Sequence, residues 1–230
     1  MHKLMIPAPI SAGLLLSYKC NSRCRHCLYA CSPQWKADWL SVADAEDILS
    51  QLAPRMLAAS GPNGSMGVNR GLHFTGGEPF LNFELLVEVV AIAHRLGIHS
   101  TFVETNCYWC TDEQTALDKL SQLKQAGLDG MLISANPFVL EYVPFERTLR
   151  AARIGGQVFP GGVLVYQPFF YQQFCDLGTA RHTVVGGVSS QGTRWPTACG
   201  VASRGESVIR TVTSIQDVSC GVLLRHIVPA

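Results

Sequence analysis

A chain of 230 residues corresponds to one large domain at roughly 150 residues per domain, with or without an appendage, and is long enough to enclose a sizeable core. Hydrophobic residues make up 47% and charged residues 15%, against about 25% charged in ordinary globular proteins, which excludes wholesale disorder. Eighteen Lys plus Arg against seventeen Asp plus Glu leave a formal charge of +1 with no long run of either sign, so no nucleic acid and no anionic membrane is expected as a partner.

The apolar N-terminal stretch is interrupted by Pro7 and Pro9 and carries no clear cleavage pattern, so it reads as mature protein. The first strand is expected over residues 13–18, a short apolar run that stops at Lys19 and a cysteine-rich loop. Ser41 is placed to cap a helix running to about residue 57, whose Val42, Ala45, Ile48, Leu49 and Leu52 form one apolar stripe. A second strand over 71–75 follows, then a well-buried helix capped by Asn82 and ended by Gly97. The third strand is expected over 98–104. Thr111 and Gln114 have capping-box spacing for a helix that stops at Gly127. A fourth strand over 130–134, a short helix over 144–154 and a fifth strand over 163–166 complete the pattern.

Residues 154–175 are uncharged, but Pro160, Pro168, four Gln and four Gly exclude a membrane-spanning helix there. Nine cysteines without an export signal read as thiols or metal ligands, and a cytoplasmic location is expected. From residue 179 the character changes: fifty-two residues carry nine Val, five Arg, no Lys, one aromatic and two acids, with no helical period. The division expected is therefore a core over 1–178 and a C-terminal segment over 179–230, either a β-rich extension or a tail foreign to the domain.

Alternating strands and helices favour a parallel sheet with crossover helices, and in such folds ligands gather at the carboxyl ends of the strands. The strongest chemical signal sits at the first of those ends, where Cys20, Cys24 and Cys27 are spaced x3 and x2. Three thiolates from one tight loop hold three corners of an iron-sulfur cubane and leave one iron open, whereas a closed electron-transfer centre takes four. At the end of the second strand stands Thr75-Gly76-Gly77-Glu78-Pro79, whose glycines suit close approach of the backbone to a ligand.

These two motifs, in this order, resemble the radical S-adenosylmethionine (radical SAM) superfamily over about residues 10–166. The resemblance implies an α/β fold, a partial (βα) TIM-like barrel with an atypical C-terminal segment, and two cofactors, a [4Fe-4S] cluster and S-adenosylmethionine. It implies Cys20, Cys24 and Cys27 as cluster ligands, and Gly76, Gly77 and Glu78 at the methionine end of the cofactor. His26 stands where the family usually places an aromatic residue near the adenine. The triplets Glu104-Thr105-Asn106 and Ser134-Ala135-Asn136, ending the third and fourth strands, stand where the family commonly places polar contacts to the ribose and carboxylate of the cofactor, with Asn106 and Ser134 as the candidates. The implied activity is reductive cleavage of the cofactor to a 5′-deoxyadenosyl radical that abstracts a substrate hydrogen, with an electron donor such as flavodoxin or ferredoxin. The substrate, whether small molecule, peptide or partner enzyme, is left open.

Three alternatives stand beside this. Cys20, Cys24 and Cys27 with His26 or Cys31 can build a structural zinc site; Cys31 can close the cluster for electron transfer; or the chain is a truncated, inactive relative. Cys107 and Cys110 are expected to be semi-buried thiols, Cys175, Cys199 and Cys220 to be incidental, and His73 to be a satisfied core histidine. Trp35, Tyr108 and Trp109 are candidates for the wall of a substrate cavity, with ordinary packing as the alternative.

Overall fold

The computed structural model describes residues 9–36, 38–59, 71–178, 209–211 and 222–224. The readings made for the N-terminal prolines, for Cys199 and Cys220, and for most of the segment from 179 onward lie outside them. Five parallel strands alternate with helices: β1 (Ser11–Leu15), α1 (Val42–Ala59), β2 (Gly71–Thr75), a 3-10 turn (Pro79–Asn82), α2 (Phe83–Arg95), β3 (Thr101–Thr105), α3 (Glu113–Gln125), β4 (Gly130–Ser134), α4 (Pro137–Leu140), α5 (Phe145–Val158), β5 (Val163–Tyr166) and α6 (Pro168–Asp176). The three-residue strands β6 (Ile209–Thr211) and β7 (Val222–Leu224) pair in parallel with β5 and β1, giving the order β6-β5-β4-β3-β2-β1-β7. Every pairing is parallel, so each crossover carries the chain back under the sheet and all five main strands end at the same edge.

The period-two alternation of the strands separates two faces. Leu14, Leu72, Phe74, Val103, Met131, Ile133, Val163 and Val165 belong to the large core shared with the helices, whose buried positions include Leu49, Leu86, Val89, Leu120 and Ile154. Phe102, Leu132 and Leu164 form a separate small cluster on the opposite face, the inner surface of the partial barrel. Gly13 on β1 belongs to that inner face: a Cβ there would lie 2.4 Å from His73 Nε2, so the glycine makes room for the imidazole beside it.

Local signals explain most boundaries. Ser41 Oγ accepts from Asp44 N (3.1 Å) and Asn82 Oδ1 from Leu85 N (3.3 Å), as their positions before α1 and α2 foretold. The cap of α3 is Asp112, not Thr111: its carboxylate accepts from Thr115 N at 2.8 Å. A carboxylate there also suits the positive end of the helix dipole. The third strand begins later than expected, because Ile98 N is bonded to Ala93 O (3.0 Å) at the end of α2 and Ser100 takes a left-handed turn (φ 61°). The uncharged stretch over 154–175 is divided among the end of α5, strand β5 and helix α6, and among the described residues no helix is long and apolar enough to cross a membrane.

Candidate active site

The carboxyl ends of the strands enclose a cavity of about 440 Å³, within the size range of small-molecule sites. Its wall holds all three cysteines of the x3-x2 motif together with Cys31 and His26, and also Gly77, Asn106, Ser134 and Tyr166, so five segments far apart in sequence meet where parallel-sheet topology predicts a site. Gly76 and Glu78 are not among the residues lining it.

The cysteine loop is closed at its neck. Lys19 and Ser32 form a parallel bridge, and Cys20 N donates to Ser32 O (3.3 Å). Within the loop Ser22 N lies 3.4 Å from Cys20 Sγ and Cys31 N 3.4 Å from Cys27 Sγ, so backbone donors already face two of the sulfurs. Burial pushes the Cys20 thiol up to about 12 and the Cys24 thiol up to about 11. The Cys27 thiol goes the other way, down to about 5, chiefly through its hydrogen bond with the Cys31 thiol.

These features fit a multi-centre group better than a single zinc ion. A zinc site needs its ligands to converge on one tetrahedral centre, and among the described residues no three His, Cys, Asp or Glu side chains are grouped to hold one metal ion. Three thiols that line one cavity suit a cluster whose irons occupy separate corners.

The Gly-Gly-Glu-Pro segment works differently from the simplest reading of its glycines. A Cβ on Gly76 would stand 2.3 Å from Ser17 O, and one on Gly77 only 1.7 Å from Lys19 O. The close approach is therefore to the backbone that leads into the cysteine loop, and it is sealed by Gly77 N to Ser17 O (2.8 Å) and Glu78 N to Lys19 O (2.9 Å). Gly76, at φ 118°, also occupies backbone space that side chains rarely enter.

Glu78 is 1% exposed. Its carboxylate accepts from Asn106 N (2.8 Å), Thr105 Oγ1 (2.9 Å) and Phe80 N (3.3 Å), tying the end of β2 to the end of β3. Burial nevertheless raises its pKa to about 7, from an ordinary value of 4.5. The folded chain thus holds this proton more tightly than the unfolded chain does. The associated stability is complete below pH 4.5 and is lost as pH rises to about 7, a change of about 3 kcal/mol. Chemical denaturation of the iron-free protein at about pH 5 and about pH 7.5 is expected to show wild type losing stability relative to Glu78→Gln; parallel behaviour would contradict this titration.

Asn106 locks the third strand to the cysteine loop. Its Nδ2 donates to Asn21 Oδ1 (2.8 Å) and Ser22 Oγ (3.3 Å) and lies 3.8 Å from Cys20 Sγ, while its Oδ1 accepts from Tyr108 N (2.9 Å). Much of the amide is thus committed to bracing, and the residue still forms part of the cavity wall. Ser134 lines the same wall from the end of β4.

The ring of His26 stacks on Phe138 with centroids 4.7 Å apart, and its Nε2 is 3.2 Å from Asn136 Nδ2. Asn136 Oδ1 is occupied by Phe138 N and Val139 N, so the amide presents its NH2 to the ring; Nε2 accepts and Nδ1 carries the proton. Tyr142 OH donating to Arg23 O and an Arg25–Glu141 ion pair complete a clamp between the cysteine loop and the region after β4. Phe138 was not singled out in the sequence, whereas Asn136 closes the polar triplet that begins at Ser134. Asn136 had a detectable local signal as the cap before Pro137, but nothing local connects it to His26.

On the cavity wall Glu104 accepts from Thr75 Oγ1 (2.5 Å) and pairs with His73 Nδ1 (2.5 Å). Burial alone would raise its pKa, but the His73 and Thr75 contacts outweigh it and hold the carboxyl below the usual range. His73 is satisfied, as expected, yet its partner faces the site. Trp35, Tyr108 and Trp109 do not line the cavity. Trp109 stacks on Phe80 at 4.0 Å and donates to Thr105 Oγ1, Tyr108 OH donates to Phe80 O, and Trp35 packs on Tyr18. Cys107 and Cys110 are fully buried thiols.

The model of the Radical SAM superfamily matches residues 14–165. The chain belongs to the radical SAM superfamily. It is 31% identical over 126 residues to the PqqA peptide cyclase of Gluconobacter oxydans (strain 621H), a match that covers 55% of this chain and 30% of that protein. A solved structure described as native anSMEcpe with bound AdoMet is similar at 18% identity with a TM-score of 0.44, covering 74% of this chain and 50% of that one. The chain thus spans less than a third of the peptide cyclase and half of the solved chain. Radical SAM family members use a [4Fe-4S] cluster and S-adenosylmethionine, and the parallel strands and crossover helices of this chain form the partial (βα) barrel expected from that resemblance.

Proposed function

We propose that Cys20, Cys24 and Cys27 ligate a [4Fe-4S] cluster at the mouth of the barrel, that S-adenosylmethionine binds in the adjoining cavity against the remaining iron, and that a substrate hydrogen is abstracted there. The observation that supports this best is the meeting of the three thiols with Gly77, Asn106, Ser134 and His26 on the wall of one cavity. The bound pair supplies one-electron reductive cleavage of the sulfonium, with the electron coming from a flavodoxin- or ferredoxin-like donor.

The chain's own residues do the rest. Ser22 N and Cys31 N donate toward ligand sulfurs. Gly76 and Gly77 let the strand end dock on Ser17 and Lys19, which fixes where the loop begins. Glu78 braces the β3 end that carries Asn106, and the Gly77 backbone is the part of the motif offered to the methionine end of the cofactor. His26, held by Asn136 and stacked on Phe138, offers its other face to the adenine. Leu132, from the apolar inner cluster, floors the cavity and keeps water from the reacting centre.

For the substrate we favour a peptide side chain, because the 31% identical relative acts on a peptide, as its name states. Incubating the reconstituted, reduced protein with S-adenosylmethionine is expected to release 5′-deoxyadenosine and methionine, and Cys24→Ala to release neither. Equal release by the variant would overturn the assignment.

A further inference from the structure

The inner face of the partial barrel carries one carboxylate beside an apolar cluster. Glu104 stands two residues beyond Phe102 on β3 and level with Leu132 of β4, so its side chain joins the face of Phe102, Leu132 and Leu164. Ser134, placed above at the cofactor, lies two residues beyond Leu132 on that same face. Glu104 therefore sits one inward-facing layer, roughly 7 Å, deeper in the barrel than the cofactor residues. Among the described residues lining the cavity it is the one Asp or Glu, and there is no Lys or Arg.

The carboxylate is braced from one side. Oε1 meets His73 Nδ1 (2.5 Å) and Oε2 accepts from Thr75 Oγ1 (2.5 Å), both on β2, while Gly13 on β1 leaves the space that the imidazole fills. These contacts keep the carboxyl below its usual range in spite of burial. Nδ1 donates to it, which a neutral ring can do, so the contact does not require the negative charge to be cancelled. Each oxygen keeps a further lone pair, and 27% of the side chain stays exposed. An anion held beside apolar side chains is stabilised when a cation is brought to it.

Resting on the cofactor placement proposed above, we infer that Glu104 is the specificity-determining residue for the substrate: it receives an ammonium or guanidinium group, so the peptide side chain brought to the site is that of lysine or arginine. Leu132, level with Glu104 on the cavity wall, suits the aliphatic stem of either side chain. With the charged head anchored in the deeper layer, the C–H bonds of the stem face the cofactor layer above it.

The test is isothermal titration calorimetry on the reconstituted protein, wild type and Glu104→Gln, first with S-adenosylmethionine and then, with that cofactor saturating, with two pairs of probes. The pairs are N-acetyl-arginine amide against its neutral isostere N-acetyl-citrulline amide, and N-acetyl-lysine amide against N-acetyl-norleucine amide. Wild type is expected to prefer the cationic member of at least one pair by about tenfold, and Glu104→Gln, folded by circular dichroism, to lose that preference. The comparison within wild type needs no variant to fold: preference in neither pair overturns the inference. A preference that survives in Glu104→Gln overturns it as well, and so does a fall in that variant's affinity for S-adenosylmethionine, which would make the carboxylate a cofactor contact. Failure of wild type to bind S-adenosylmethionine instead overturns the reading beneath it.

Discussion

Replacing Cys20, Cys24 or Cys27 by Ala is expected to abolish a stable [4Fe-4S] cluster, whereas Cys31→Ala keeps it. The reason lies in the loop. Each of the three lines the cavity, and the sulfurs of Cys20 and Cys27 face backbone N–H groups positioned to stabilise a ligating thiolate. Removing one thiolate leaves two iron corners without a protein ligand instead of one, and Cys107 and Cys110, fully buried and absent from the cavity wall, are not placed to replace it. Iron and acid-labile sulfide after anaerobic reconstitution measure the outcome. Equal loss in all four variants would mean four-cysteine ligation and a closed cluster.

The second large effect is expected at Gly77→Ala. Its new Cβ would stand 1.7 Å from Lys19 O and 2.4 Å from Lys19 C, both backbone atoms, so no side-chain adjustment relieves the clash. Either β2 or the entrance to the cysteine loop has to move. Overpacking of this severity costs about 3 kcal/mol, and for a chain of this length that corresponds to a melting temperature lower by about 6–12 °C. Because Lys19 directly precedes Cys20, retention of iron is expected to fall together with stability. If the glycine served only a bound ligand, the variant would keep both its melting temperature and its iron and lose only affinity for S-adenosylmethionine.

That contrast marks where the sequence is informative and where it stops. β2, β4 and β5 were legible to the residue because short apolar runs bounded by turns leave little choice, and Ser41 and Asn82 declared their helices through their own side chains. The x3-x2 cysteine motif was legible because its three thiols are local. The job of Gly76 and Gly77 was not, because the atoms that exclude a side chain there belong to Ser17 and Lys19, some sixty residues earlier and one strand over. The same holds for Glu78, whose donors come from Phe80 beside it and from Thr105 and Asn106 on the next strand, and for His26, whose orientation depends on Asn136. Helix α6 was hidden for another reason: Gln167 enters it in a left-handed conformation just before Pro168, a dipeptide that reads as a loop.

The central claim is an iron left open by three cysteines beside a cavity that takes S-adenosylmethionine. Electron paramagnetic resonance of the reconstituted, reduced protein, recorded with and without S-adenosylmethionine, tests it most directly. The account predicts a [4Fe-4S] signal whose g values shift when the cofactor is added. A cluster signal unchanged by the cofactor, or no cluster at all, would contradict it.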